Sequence, residues 1–163
     1  MSSSFFTILL FVAVCSCAQT KSIVVNAYGF YEIRSPGNIP VDDNGNSLYN
    51  GPDTTYTVYC ETSTKNIVWT AAWKGGRSYS AIPVLLPNKV HNAGIAKKNS
   101  EKVIIRTTDK NVLWRIELVP DINETKPPKS YKDRGILLHG KSGTQPLYRV
   151  VTGSSQLITH DAY

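Results

Sequence analysis

Residues 58–69, Val-Tyr-Cys-Glu-Thr-Ser-Thr-Lys-Asn-Ile-Val-Trp, align without a gap to residues 103–114, Val-Ile-Ile-Arg-Thr-Thr-Asp-Lys-Asn-Val-Leu-Trp. Thr62 falls on Thr107, a step of 45 residues, and the same step from Thr107 reaches Thr152 within Tyr-Arg-Val-Val-Thr-Gly-Ser-Ser-Gln-Leu-Ile-Thr, residues 148–159. Self-similarity at a fixed period is the mark of a repeat architecture. Each copy reads as an apolar strand, a Thr opening a polar turn, an Asn or Gln, two aliphatics, and then Trp, Trp or Thr. Cys60, Ile105 and Val150 are expected to face the core. Asn66, Asn111 and Gln156 stand where a side-chain amide bonds turn backbone as the next strand begins.

Outward from these segments, period-two alternation dominates. Val112, Trp114, Ile116 and Leu118 point one way while Arg115 and Glu117 point the other, and Ile67, Trp69, Ala71 and Trp73 form a similar stripe, as in half-buried strands. No window carries a sustained helical stripe. Turn chemistry recurs at 35–38, 43–46, 51–53, 75–76 and 140–143, a spacing suited to a sandwich or a barrel. Shorter strands are expected at 47–49, 95–96 and 136–138, with further ones at 29–33 and 78–82. Four strands in each of three copies make twelve, which predicts a β-trefoil over residues 19–163, closed so that no sheet edge is exposed. The first strand of the third copy belongs near 119–131, where a polar, Pro-containing stretch is expected to have displaced or shortened it. An irregular barrel and an immunoglobulin-like sandwich stay open; the sandwich would use Cys60 and Trp69, although its usual second Cys is missing.

Phe5 to Val14 form an apolar run of signal-peptide length followed by Ser16-Cys17-Ala18, so residues 1–18 read as a secretory leader and the protein as secreted. The run is too short to span a bilayer. Removing it leaves Cys60 as the single thiol, expected to be a buried, inert small hydrophobe, with an intermolecular disulfide as the functional alternative. A chain of roughly 145 residues buries enough apolar surface to stand without disulfides. The net charge of +6 is scattered, with no basic run longer than Lys97-Lys98. That pattern fits mild attraction to acidic surfaces and not a nucleic-acid groove. Asn123-Glu124-Thr125 is an N-glycosylation acceptor.

Trp69 and Trp114 keep step with core positions, which leaves Trp73 and Tyr79 as the candidates for glycan contact. His91, His139 and His160 follow no ligand spacing, and no metal site or cofactor is implied. Asp42, Asp43 and Asp53 sit in turn sequences where Asp caps its own backbone. No nucleophile elbow is present, and the expectation is that the protein is not an enzyme. On a closed barrel, binding resides in loops. Arg34, Ser35, Pro36, Gly37 and Asn38, in a segment ending at Pro40 and stiffened by two prolines, form the first candidate loop. Asn50, Gly51 and Asp53 belong to the second. A preorganised loop loses little entropy on entering a protease cleft.

Residues 40–51, Pro-Val-Asp-Asp-Asn-Gly-Asn-Ser-Leu-Tyr-Asn-Gly, followed by Tyr56-Thr57-Val58, resemble the opening signature of plant Kunitz-type trypsin inhibitors, which are secreted β-trefoils. Gly29-Phe30-Tyr31-Glu32-Ile33, a hairpin, and then Asn66-Ile67-Val68-Trp69 look like the layout of small fungal β-trefoil protease inhibitors. The related ricin-B-type lectins carry Gln-x-Trp, where this chain has Asn-x-x-Trp twice and Gln-x-x-Thr once. The resemblance implies inhibition of a protease through surface loops; the expected partner is a serine or cysteine protease and the expected state a monomer, with a lectin-like glycan binder as the alternative.

Overall fold

The computed structural model describes residues 22–34, 41–46, 53–123 and 125–158. The leader segment 1–18, the loop residues 35–40 and 47–52, and His160 lie outside them. Among the described residues there is no helix. The strands are β1 (Val24–Arg34), β2 (Asp53–Thr62), β3 (Ile67–Lys74), β4 (Arg77–Leu86), β5 (Val90–Ile95), β6 (Lys102–Arg106), β7 (Val112–Pro120), β8 (Ile136–Ser142), β9 (Gln145–Val151) and the short β10 (Ser155–Gln156).

Eight of them form one sheet in the order β10-β1-β2-β7-β4-β3-β8-β9, while β5 and β6 pair as a separate hairpin. The first and last strands of that order, β10 and β9, are joined by residues 152–154 alone. The sheet therefore curls into a half-barrel that brings its edge strands β9 and β10 near each other at a seam, and β10 runs parallel to its neighbour β1 through Phe30↔Ser155 and Tyr31↔Gln156. Curling buries one face. Val58 and Cys60 of β2, Trp114, Ile116 and Leu118 of β7, Ile136 and Leu138 of β8, Trp69 of β3 and Val151 of β9 pack there as a single apolar cluster. Thr62 joins them because its hydroxyl accepts the Trp114 indole N–H at 3.0 Å.

The β5–β6 hairpin lies on the outer face. Phe30, Tyr59, Leu113 and Leu157 pack beneath it with Ile105 in a second cluster. Strand β2 is thus covered on both sides, which explains why Val58 through Thr62 are buried without alternation. The hairpin is tied to the seam by the Ala96↔Leu157 bridge. The β3–β4 turn uses Gly75 and Gly76 at φ 59° and 78°, the left-handed pair that suits a two-residue hairpin.

Several expectations change against this fold. Among the described residues the strand pairing does not repeat threefold: residues 58–62 lie mid-sheet in β2, 103–106 in the separate hairpin, and 148–151 in β9 at the sheet's end. Cys60 and Ile105 are buried, but in different clusters. Val150 is 43% exposed and Val151 takes the inward position, because the register Ile136↔Val151 sets it beside a fully buried residue of β8. After β7 ends at Pro120, no strand forms before Ile136 among the described residues.

The stripe Ile67-Trp69-Ala71-Trp73 is broken by a bulge between Trp69 and Ala71. One extra residue reverses the phase, so Ala72 enters the core and Trp73 leaves it. Gly140 accommodates the bulge, since a Cβ there would stand 2.7 Å from the Val68 carbonyl oxygen.

Candidate functional site

The two candidate loop segments are the two limbs of one connection. Strands β1 and β2 pair without interruption from Asn26↔Glu61 to Arg34↔Asp53, so residues 35–52 leave and re-enter the barrel at adjacent backbone positions. Within that connection residues 41–46 form a self-contained turn. The Asp42 carboxylate accepts the Asn44 and Asn46 N–H groups at 2.9 and 2.8 Å and the Asn46 amide at 3.0 Å. The hydrogen bonds from Asn46 hold the Asp42 carboxyl below its ordinary pKa. Arg34 is 61% exposed and its guanidinium lies 3.5 Å from Glu32. Ser35, Pro36, Gly37, Asn38, Asn50 and Gly51 lie outside the described residues, and Asp53 is exposed at the start of β2.

Below this rim the outer face carries a groove of about 440 Å³ between the sheet and β5. Its floor comes from β1, β2 and β7 through Glu32, Arg34, Thr57, Tyr59, Arg115 and Glu117, and one wall from His91, Asn92 and Ala93. The register Tyr59↔Arg115 and Thr57↔Glu117 places these side chains side by side. The Tyr59 hydroxyl and His91 Nε2 are 3.2 Å apart, with the rings 5.2 Å between centroids.

Burial raises the Tyr59 pKa, against the pull of the Arg115 guanidinium and with the push of Glu117 and Glu32. Burial, followed by Arg115, lowers that of His91, which favours the neutral imidazole. Arg115 pairs with Glu117 at 3.1 Å. Its Nε is sealed from solvent without a hydrogen-bond partner among the described residues. Each cation of the groove therefore has a carboxylate beside it, and the lining is charge-balanced.

Next to the groove, beneath the hairpin, Glu61 is 3% exposed. Its carboxylate accepts hydrogen bonds from Asn26 at 2.7 Å, Thr107 at 2.7 Å, Asn111 at 2.6 Å and the Thr108 N–H at 3.4 Å. Burial alone would push this carboxyl up; the bonds led by Asn111 and Asn26 outweigh it and hold the pKa below the usual value. The Asn111 amide thus serves a carboxylate and not the turn backbone expected of it. Because Glu61 joins β1, β2 and the β6–β7 turn, it positions the hairpin that walls the groove.

Trp73 and Tyr79 are each only 6% exposed. Trp73 donates its indole N–H to the Thr125 carbonyl at 2.8 Å, and Tyr79 packs in the inner cluster. Stacking on a sugar needs an open ring face, which neither offers in this conformation. The strandless crossover 121–135 covers Trp73. It is also fastened by the Asp133 carboxylate, which accepts the Gly75 N–H and the Tyr131 hydroxyl, each at 2.8 Å. Asn123 stands exposed on that crossover, its N–H bonded to Asp121 Oδ1 at 3.0 Å. Cys60 is a buried free thiol, its pKa pushed up to about 12 by burial.

The groove residues Tyr59, His91, Arg115 and Glu117 were not singled out from the sequence. The available signal was the alternation itself: Tyr59 and Arg115 fall on the faces opposite to Cys60 and Trp114, but only strand pairing brings them together. Among the described residues no group of three or more His, Cys, Asp or Glu could hold a metal ion, and no helix is long and apolar enough to cross a membrane. Comparison with protein-family models, with curated proteins and with solved structures returned no match.

Proposed function

We propose that this is a secreted, monomeric, non-enzymatic binding protein that presents the β1–β2 connection to a protein partner, with a serine or cysteine protease as the first candidate. The observation that supports it is the uninterrupted β1–β2 pairing up to Arg34↔Asp53, which delivers the connection from a fixed base. The Asp42 turn adds a second rigid point. Preorganisation of this kind lowers the entropic cost of docking in a cleft. Arg34, extended and largely exposed at the rim, suits a protease pocket with an acidic base. The barrel itself is best read as irregular, the threefold reading resting on the 45-residue offset alone.

The test is inhibition of a panel of serine and cysteine proteases by the purified protein. The expected result is inhibition of an Arg-preferring serine protease at micromolar concentration or below, weakened on the order of a hundredfold by Arg34→Ala, the scale of an interface hot spot. No inhibition across the panel overturns the reading. The glycan-binding alternative draws nothing from Trp73 and Tyr79, whose rings are covered.

A further inference from the structure

At the seam, on the side of the barrel where β9 passes into β10, two concavities of about 480 and 350 Å³ share Tyr31 and Ser154. Lys97 and Lys98, on the turn between β5 and β6, line the first; Lys74, at the end of β3, lines the second. Apart from Ala96, the remaining lining carries hydroxyl and amide side chains such as Thr54, Ser155 and Gln156, and among the described residues no carboxylate lines either concavity. The contrast with the outer groove is one of charge. There each Arg stands against a Glu, whereas none of these three lysines forms an ion pair among the described residues.

Two acids near these concavities accept hydrogen bonds from neutral groups, one of them from the lining residue Asn99. Glu101 accepts the Asn99 amide. Asp133 feels Lys74 but is held by Gly75 and Tyr131. The Lys74 ammonium rests 5.3 Å above the centre of the Tyr56 ring, which fixes its head at the surface.

We propose that this seam is a binding site for a linear, sulfated glycan. Lysines on both sides of the Tyr31–Ser154 divide fit a ligand carrying several anionic groups along its length better than a single small anion. Hydroxyl and amide groups between the cations suit sugar hydroxyls. A single-stranded nucleic acid would instead draw on a row of aromatic faces for successive bases, and among the described lining residues only Tyr31 and Tyr56 are aromatic. Through Thr54 the second concavity lies beside the base of the β1–β2 connection, but the proposal does not rest on the protease reading.

The experiment measures binding of the whole secreted protein to a heparin oligosaccharide in 0.15 M salt. Lys97→Glu/Lys98→Glu and Lys74→Gln are compared with Lys65→Glu/Lys110→Glu, a control that removes the same charge as the first pair from exposed positions elsewhere. The expected result is a loss on the order of a hundredfold for Lys97→Glu/Lys98→Glu and fivefold for Lys74→Gln, a control within threefold of wild type, and a shallower salt dependence in the seam variants. Lys97→Gln/Lys98→Gln replaces the reversal should that variant fail to fold, with a loss on the order of tenfold. Equal loss in control and seam variants reduces the effect to net charge and overturns the proposal. So does absence of binding by the wild type, or equal affinity for single-stranded DNA of matched length.

Discussion

The two faces of β2 are both buried, and they are buried by different means. The inner face, Val58, Cys60 and Thr62, meets apolar side chains from six other strands of the curled sheet. The outer face, Tyr59 and Glu61, meets a small hairpin and is secured by hydrogen bonds to one carboxylate and by the Tyr59–His91 contact. Apolar burial is non-directional and tolerates exchange of one hydrocarbon for another. A buried carboxylate held by neutral donors is directional, and depends on its protonation state. The inner face thus supplies the stability of the barrel, and the outer face decides where the hairpin and the groove wall sit.

The largest expected effect comes from breaking the inner side. Ile116→Ala, at a fully buried position, is expected to cost about 3–4 kcal/mol, read as a lower denaturant midpoint for the whole domain. If the cost stays below about 1 kcal/mol, the enclosed core is not closely packed. Glu61→Ala is expected to cost about 2 kcal/mol through the donors it orphans. Its distinguishing sign is a local one: amide exchange in β5 and β6 accelerates more than in β7 and β8. Uniform acceleration would show that Glu61 does not hold the hairpin in particular.

Acid separates the two faces more gently. The folded Glu61 pKa lies below its unfolded value, so its stabilisation is complete above about pH 4.5 and is lost as pH falls through the lowered folded pKa. His91 is depressed as well, so its neutral form belongs to the folded state, and stability declines as pH falls below the ordinary histidine value of 6.5. Titration from pH 7.5 to 5 followed by the His91 ring resonances is expected to give a midpoint below 6.5. A midpoint above 6.5 contradicts the burial of the ring. The smallest effect concerns Cys60: with its thiol pKa near 12, alkylation at pH 8 is expected only after unfolding. Prompt labelling of the native protein would open the inner face to solvent.

Much of the inner face was legible in the chain. The alternation Val112-Trp114-Ile116-Leu118 and the step Val58-Cys60 needed only the two-residue period of a strand, and Gly75-Gly76 announced its own turn. The bulge at Thr70 was not legible, because no residue type demands it; it follows from β3 pairing with β8 across Gly140. For the candidate site the balance reverses. Arg34 and Asp53 could be named from the chain, but that they face each other as the base of one connection is a matter of register. Trp73 stands as a candidate for glycan contact in the sequence because nothing local announces that the 121–135 crossover covers it.

By itself the sequence determined an all-β chain, its turns, and most of the residues that prefer the interior, because these follow from side-chain period and backbone chemistry within a few neighbours. Tertiary structure decided which similar-looking segments play different parts. Residues 58–62, 103–106 and 148–151 read alike, yet one lies mid-sheet, one in the outer hairpin and one beside the seam. Strand pairing is set by the partner across the sheet and by which faces a curled sheet can close, and neither is carried by the segment itself.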